Sequence, residues 1–377
     1  MPTLITPVSP AQLRAGQCLY VGQFSAIADP ISGSVFGDPQ QPWREVMALK
    51  GLATTRARWC PQCFAEDLAE SRDPYFRLGW DIGAVTACYR HRVVLADTCP
   101  DCGRVGTRHK GTYVVPGWCC HCGSFLGTGE AGCRPASPEE LWTARQVGLL
   151  LAEQGSLTQT PSRQFWRDAV VEVISRMDSG KSAVFARRVG LSKSTLHHWL
   201  QQDGIPTLAG SLAIAAHAGL ALPAMLRGDL SGWTPPQMGQ LELPLSTKGH
   251  DRRGTPRHLD WNEIRMRLTE FAHSPNPISV SEAGRCLEVD ARHLYLRANR
   301  EARVLGERWK AHLRMNAEAR QAHARPYVEA ACRAVLDEGR AISLRELETR
   351  VPKPILASVD SLFDMVDEVR ATIHRQS

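Results

Sequence analysis

Four pairs of metal-binding residue types, each with two residues between its members, constrain the fold of this chain more than any other feature. The first pair is C-x-x-C, the second is C-x-x-H, and the third and fourth are again C-x-x-C. Such a pair places two ligands on one side of a tight turn, and two pairs can complete a tetrahedron around zinc. Taken in order, the pairs predict two four-ligand sites: Cys60, Cys63, Cys88 and His91, then Cys99, Cys102, Cys119 and Cys122.

The spacing between the pairs supports two structural zinc ions. Sixteen residues separate Cys102 from Cys119, which is the gap of a zinc ribbon. Cys120 and His121 could each replace a ligand of this site, and Cys119 is preferred because it restores the two-residue gap. Both sets are complete with four protein ligands, whereas a catalytic zinc needs an open position for water or substrate. In a cytoplasmic chain the thiols stay reduced, which favours metal binding over disulfides.

The segment between the two halves of the first site carries two further expectations. Leu78, Ile82 and Val85 follow one another at steps of four and three, which predicts an amphipathic helix leading to Cys88. The adjacent acids at 66–67 follow the first pair directly. We interpret them as a charge pair at a helix N-terminus rather than as an acid and base.

Four short stretches carry a resemblance to a known family. They read W-C-P-Q-C-F-A-E-D at 59–67, P-Y-F-R-L-G-W-D at 74–81, C-Y-R-H-R-V-V-L at 88–95 and C-P-D-C-G at 99–103. Together they resemble the core of the TniQ family, which includes the TnsD target selectors of bacterial transposons. One departure is that residues 1–52 are rich in Pro and Gly, where the family usually has a longer helical segment with an E-S-L-x-S-W-like stretch.

The resemblance implies a function in DNA transposition. A TniQ-like protein selects the target site and recruits the AAA+ ATPase regulator of the transposon, which is TnsC-like or TniB-like, and through it the transposase. Some relatives recognise double-stranded DNA directly, and others dock onto a CRISPR Cascade complex with its guide RNA. The family's paired zinc sites correspond to the eight ligands named above.

A helix-turn-helix pattern follows the cysteines. Helices are expected from Ser137 onwards, over 165–177 with Phe165 in the apolar face, and as two short buried helices within 208–226. Between them, residues 183–199 have a small residue at Ala186, a turn glycine at Gly190 and a buried position at Leu196. The predicted DNA-contacting side chains of the second helix are Lys193, Ser194, His197, His198 and Gln201.

A second helix-turn-helix pattern spans residues 278–295, with Gly284 at the small position and Glu288 where the turn glycine belongs. Residues 248–325 carry 16 Lys and Arg against 10 Asp and Glu, a surplus as large as the net charge of +6 on the whole chain, so a polyanion should bind there. The residues expected to contact phosphates are Arg292, His293, Arg297 and Arg300, with Arg303 and Arg308 extending the basic face.

The sequence thus predicts a mainly α-helical protein in which two small zinc modules precede helix-turn-helix domains. The expected divisions are a TniQ-like domain at 1–136, a Cro/repressor-like domain at 137–230, a linker at 231–258, a second basic helix-turn-helix domain at 259–325 and a C-terminal helical module at 326–377 that could form a third helix-turn-helix. The acids of 360–368 are expected to face a protein partner.

No nucleotide-binding loop occurs, and a non-enzymatic role is expected. Two alternatives stay open: a helix-turn-helix transcriptional regulator, which would form a homodimer on a palindrome, and a zinc-dependent nucleic-acid-processing enzyme. The chain does not open on a charged segment followed by an apolar core, so a cytoplasmic, nucleoid-associated location without a membrane partner is expected.

Overall fold

A computed structural model describes residues 43–54, 56–106, 114–128, 133–236 and 259–376. The chain divides into two compact units. The first takes most of the residues up to 250, and the second takes residues 251–377 with the short segments 111–115 and 120–123. The described fold is mainly helical, as the sequence predicts.

The first unit contains seven α-helices and one two-stranded sheet within the described residues. The helices are α1 (Pro61–Ala69), α2 (Pro138–Glu153), α3 (Arg163–Asp178), α4 (Ser182–Arg188), α5 (Lys193–Gln201), α6 (Leu208–Ala218) and α7 (Leu222–Arg227). Strands β1 (Ala87–Cys88) and β2 (Val93–Val94) pair antiparallel, with Ala87 opposite Val94 and Cys88 opposite Val93.

The amphipathic helix predicted before Cys88 is wrong. Residues Leu78–Asp81 form a single turn of 3₁₀ helix, Ile82 is already extended, and Cys88 lies on β1. The reason is that tertiary partners bind the backbone groups a helix would use. The guanidinium of Arg58 donates to the carbonyls of Trp80 (3.2 Å) and Ile82 (2.7 Å), and the N–H of Gly83 donates to the carbonyl of Leu52 (2.6 Å).

Helix α2 begins with a capping box. The Ser137 hydroxyl accepts from the N–H of Glu140, and the Glu140 carboxylate accepts from the N–H of Ser137, so two N-terminal donors are satisfied. Glu140 also accepts from Thr86, which ties the start of the helix to the sheet. The predicted helix after it is α3, but Phe165 is exposed, and Trp166 and Val170 are buried instead.

Helices α4 and α5 form a tight pair within the first unit. Ala186 is buried, Gly190 in the connecting turn has a φ of 69°, and Leu196 and Trp199 are buried. The Ser192 hydroxyl caps α5 by accepting from the N–H of Thr195 at 3.0 Å. The helices α6 and α7 follow at the predicted place.

The second unit begins with α8 (Trp261–His273), α9 (Val280–Cys286) and α10 (Ala291–Arg297). These helices pack on the first part of α11 (Asn299–Asp337) around an apolar core that includes Leu268, Leu294 and Leu305. The turn between α9 and α10 contains Glu288 with a φ of 52°, so a glutamate takes the conformation that Gly190 takes in the earlier pair.

The second part of α11 packs against three shorter helices, α12 (Leu344–Arg350), α13 (Lys353–Ser358) and α14 (Leu362–Gln376). Helix α11 is 39 residues long and contains Pro326, so the predicted boundary at 325–326 lies inside one continuous helix. The domain boundaries as a whole stay a prediction, and most of the predicted linker lies outside the described residues.

None of the described helices combines the length and the apolar composition that a membrane-spanning segment needs.

Candidate metal centres and helix-pair surfaces

The first four predicted metal ligands lie together in the structure. Cys60 is the N-cap of α1, Cys63 is in its first turn, Cys88 ends β1 and His91 lies in the turn between β1 and β2. Their ligand atoms all lie within 4.8 Å of one another. The helix start and the strand turn therefore bring two short sequence motifs to one point.

The distances in this cluster match a tetrahedral metal site. The Sγ atoms of Cys63 and Cys88 are 3.7 Å apart, and Nδ1 of His91 is 3.3–3.6 Å from the three sulfurs. A tetrahedron with zinc–sulfur bonds of about 2.3 Å has edges of about 3.8 Å. Four soft or borderline donors at these distances can hold a metal ion, and their chemistry suits zinc.

Glu66 supports this cluster from outside. The Nε2 of His91, which points away from the sulfurs, lies 2.9 Å from the carboxylate of Glu66, and that carboxylate also pairs with Arg90 at 2.8 Å. A carboxylate behind a histidine ligand fixes the orientation of its ring. The acid interpreted from sequence as a helix N-terminal charge thus lies directly behind a candidate ligand.

A proton and a metal ion compete for His91. Hydrogen bonds with Cys60 and then with Cys88 raise the pKa of His91 to about 10. Because a metal ion binds the deprotonated ring, binding at neutral pH releases this proton, and the affinity for metal should fall as the pH falls.

Asp67, the neighbour of Glu66, is fully buried in an ion pair with Arg77. The two guanidinium nitrogens of Arg77 donate to the two carboxylate oxygens at 2.6 and 2.8 Å. The guanidinium also lies 3.9 Å from the ring centre of Tyr75. Burial has the largest single effect on the pKa of Arg77 and lowers it, but the hydrogen bonds to Asp67, together with the negative charges of Cys63, Tyr75 and Asp67, raise the pKa on balance. The ion pair therefore connects α1 to the segment that follows it.

The second cluster contains the other four predicted ligands. The ligand atoms of Cys99, Cys102, Cys119 and Cys122 lie within 4.8 Å of one another. The sulfurs of Cys102 and Cys119 are 3.8 Å apart, again the edge of a tetrahedron around zinc of about that length. Cys120 and His121 are buried but do not belong to the cluster.

The predicted contact residues of α5 share one exposed face. Buried Leu196 and Trp199 hold the helix on its inner side. His198 is partly engaged, since Nδ1 lies 3.3 Å from the amide oxygen of Gln202 and its ring lies against Gly204. The exposed side chains of this face are Lys193, Ser194, His197, His198 and Gln201.

The predicted contact residues near α10 are also exposed, with one correction to the wider basic face. Arg308 is not part of that face, because its guanidinium donates to the carbonyls of Phe271, Ala272 and Ser274 at the end of α8. It therefore satisfies a helix C-terminus. The exposed basic side chains are Arg292, His293, Arg297, Arg300 and Arg303.

The acids at the start of α14 are largely paired within the chain. Asp360 lies 3.3 Å from Arg320, and Glu368 lies 3.1 Å from Arg325. Both arginines are on α11, so these acids stabilise the packing of α14 on that helix. The expectation that this stretch also faces a protein partner stays a prediction.

The fold and the two clusters define a mainly helical protein with two candidate structural metal centres. The TniQ family model matches residues 24–95, which include the whole first cluster. The match identifies a TniQ domain in this chain and supports its membership of the TniQ family, which associates it with DNA transposition. Residues 24–42 of the match lie outside the described part. No curated protein matches the chain.

Proposed function

We propose that this chain selects target sites for DNA transposition. It binds target DNA, recruits the AAA+ ATPase regulator of its transposon and thereby brings in the transposase. The observation that carries the proposal is the TniQ domain at 24–95. The two helix pairs, α4–α5 and α9–α10, are proposed as the DNA-binding helix-turn-helix units.

The geometry of the first pair supports a role in DNA binding. A seven-residue helix, a turn with Gly190 in the left-handed conformation and a nine-residue helix follow one another directly. The exposed face of α5 offers an ammonium, hydroxyl, imidazole and amide groups, which can hydrogen-bond to base edges and phosphates in the major groove.

The second pair supports the same role with a different surface. Helix α10 carries Arg292, His293 and Arg297 on its exposed side, and Arg300 and Arg303 follow at the start of α11. Clustered arginines bind phosphates largely independently of sequence. Two linked contacts with one duplex raise the effective concentration of each, so weak individual contacts can give selective binding.

The metal centres are proposed to hold two zinc ions with a structural role. Each cluster already supplies four protein ligands, which is the coordination of structural zinc. The proposed role of the chain is accordingly that of a non-enzymatic adaptor. Substitution of Cys60 by Ser should release zinc and unfold its surroundings, whereas a catalytic centre would lose activity and keep its fold.

The salt dependence of duplex binding tests the DNA contacts. Lys193 is exposed on α5, and its substitution by Gln should flatten the slope of log K against log salt by about 1 if it contacts a phosphate. Lys310→Gln is the matched control, because Lys310 is equally a lysine on a helix surface but pairs with Glu307 at 2.8 Å. The control should leave the slope unchanged.

The same titration separates direct from RNA-guided targeting. An affinity for duplex that does not change with salt concentration would count against direct DNA recognition by α5. Equal slopes of log K against log salt for the two lysine variants would count against it as well. If the full-length protein binds no duplex but binds a Cascade complex with its guide RNA, targeting is RNA-guided. The recruitment of the ATPase regulator is tested separately by co-sedimentation of the purified proteins.

A further inference from the structure

The exposed side of α10 has an apolar residue in the middle of its basic groups. Successive residues of an α-helix are rotated by about 100°, so Leu296 lies about 40° from Arg292 and about 60° from His293, between the two. Arg297 borders the same side. The inner side is formed by buried Leu294. The helical period therefore places Leu296 inside the basic face rather than at its edge.

Leu296 is 68% exposed, the largest exposed fraction among the large apolar side chains of the described residues. A single exposed leucine is ordinary on a protein surface. Leu296 is unusual because it lies among basic groups that attract phosphates. The neighbouring Tyr295 does not lie within the basic face. Its hydroxyl lies beside α11, 3.4 Å from where a Cβ on Gly306 would be.

The orientation of α10 is fixed by its neighbours. A Cβ on Gly284 of α9 would lie 2.6 Å from the carbonyl oxygen of Val289, so the turn that leads into α10 packs directly on the backbone of α9. The Asp290 carboxylate caps α10 by accepting from the N–H of Arg292 at 2.7 Å. At the other end, Arg265 donates to the carbonyl of Arg297 at 3.0 Å. The side of the helix that carries Leu296 is thus held facing outward.

We propose that Leu296 contacts the C5-methyl group of a thymine in the major groove and makes α10 selective for a T·A pair at one position. The inference rests on the proposed function, since it assigns a base to a helix proposed to bind DNA. The arginines and His293 supply charge complementarity to phosphates, and the leucine supplies the apolar contact by which a thymine methyl is read. Asp290 and Glu288 lie at the N-terminal end of the helix and do not extend the basic face.

The expected effect is small but measurable. Removing one buried methyl group costs about 0.8 kcal/mol, which is about a fourfold loss of affinity. Replacing thymine by deoxyuridine removes this methyl and leaves the hydrogen-bonding edge of the base unchanged. The affinity of the full-length, zinc-loaded protein should therefore fall about fourfold at one thymine of its preferred duplex.

The experiment first selects the preferred duplex from a randomised pool and then replaces each thymine singly by deoxyuridine. Leu296→Ala should bind the thymine and deoxyuridine duplexes equally, and Leu296→Met should keep the discrimination. Met315→Ala is the matched control, because Met315 is 64% exposed on α11 and lies outside the basic face. It should discriminate as the unaltered protein does. Circular dichroism checks that all variants fold.

The outcomes distinguish the inference from the function on which it rests. If no duplex is selected and none is bound, the proposed DNA binding fails and the inference fails with it. If a duplex is bound, but Leu296→Ala discriminates thymine from deoxyuridine as well as the unaltered protein does, only the inference is overturned. The inference alone is also overturned if replacing each thymine of the selected duplex by deoxyuridine leaves the affinity unchanged.

Discussion

The Cys-rich region around the two clusters, residues 56–106 and 114–128, and the helices α8–α14 of the second unit stabilise their folds in different ways. Regular structure in the first of these regions consists of one helix of nine residues, one 3₁₀ turn and two strands of two residues each. The second unit has a helix of 39 residues and an apolar core between helices. Elements as short as those of the Cys-rich region are marginal by themselves. The comparison teaches that bonds from side chains to a metal can replace the regular backbone structure that the second unit has.

The Cys-rich region also buries apolar side chains, including Trp59, Phe64 and Trp80. The Phe64 ring packs edge-on against Phe76 and Trp80, with ring centres 5.3 and 5.6 Å apart. The indole N–H of Trp59 donates to the carbonyl of Leu126 at 3.0 Å. These contacts order the surroundings of the first cluster.

Removal of metal should produce the largest difference between the two regions. Structural zinc contributes roughly 10–16 kcal/mol of binding free energy that is also folding free energy. A strong chelator should therefore unfold the Cys-rich region and leave α8–α14 folded. Hydrogen–deuterium exchange, read peptide by peptide, measures both at once, and a zinc-sensitive dye should report about two ions released per chain.

The matched control for this experiment is added zinc in excess of the chelator, which should restore protection from exchange. Equal protection of the Cys-rich peptides with and without chelator would mean that the clusters do not hold this region together. Loss of protection in α11 under the same conditions would mean that the helices α8–α14 also depend on the clusters.

The buried ion pair of the Cys-rich region should give the next largest effect. Asp67→Asn keeps the shape of the side chain but leaves the guanidinium of Arg77, whose side chain is 11% exposed, without its counter-charge. Breaking a buried pair by removing one partner costs about 3–5 kcal/mol. Urea unfolding followed by tryptophan fluorescence at constant zinc concentration measures the loss.

Glu70→Gln is the control for the ion pair. Glu70 pairs with Arg72 at 2.7 Å, and both side chains are about half exposed. An exposed pair of this kind contributes about 0–1 kcal/mol. If the two substitutions destabilise the protein equally, burial of Asp67 does not matter for the stability of this region.

The two regions also differ in how far their sequence predicts them. The membership of the two clusters was predictable because each pair is a local motif, and the spacing between pairs limits which of them can meet. Glu66 was missed as the support of His91, although it lies three residues after Cys63 on α1 and so shares one face of the helix with that ligand. The partnership of Asp67 with Arg77 depends on where the following segment folds, which local spacing does not encode.

In the helical parts of the chain, the positions of most helices could be predicted from local sequence. The places of α2 and α4–α7 follow from caps, glycines and apolar periodicity, which act over a few residues. The apolar face predicted for α3 is buried at Ala169, Val173 and Ile174, and only Phe165, in the first turn of the helix, is exposed. The helix expected before Cys88 failed because three periodic residues are weak evidence, and because Arg58, distant in sequence, takes the carbonyls.

The smallest effect concerns the turns of the two helix pairs. Gly190 and Glu288 both have left-handed backbone conformations, with φ of 69° and 52°. A residue with a Cβ loses roughly 1–2 kcal/mol in this conformation, and glycine loses about 0.4–1 kcal/mol more conformational entropy on folding than alanine does. The protein with glycine at either position should therefore be more stable to unfolding than the protein with alanine there, by about 0.5–1 kcal/mol.

The design compares Gly190→Ala with the unaltered protein, and Glu288→Gly with Glu288→Ala. Both variants at 288 lack the carboxylate, so the difference between them isolates the backbone conformation from the contacts of the glutamate. Thermal unfolding gives the two differences in stability. The same sign at both positions would show that one turn geometry serves both helix pairs. If the variant with alanine at 288 is as stable as the variant with glycine or more stable, while Gly190→Ala is destabilised, the turn between α9 and α10 is not left-handed in solution.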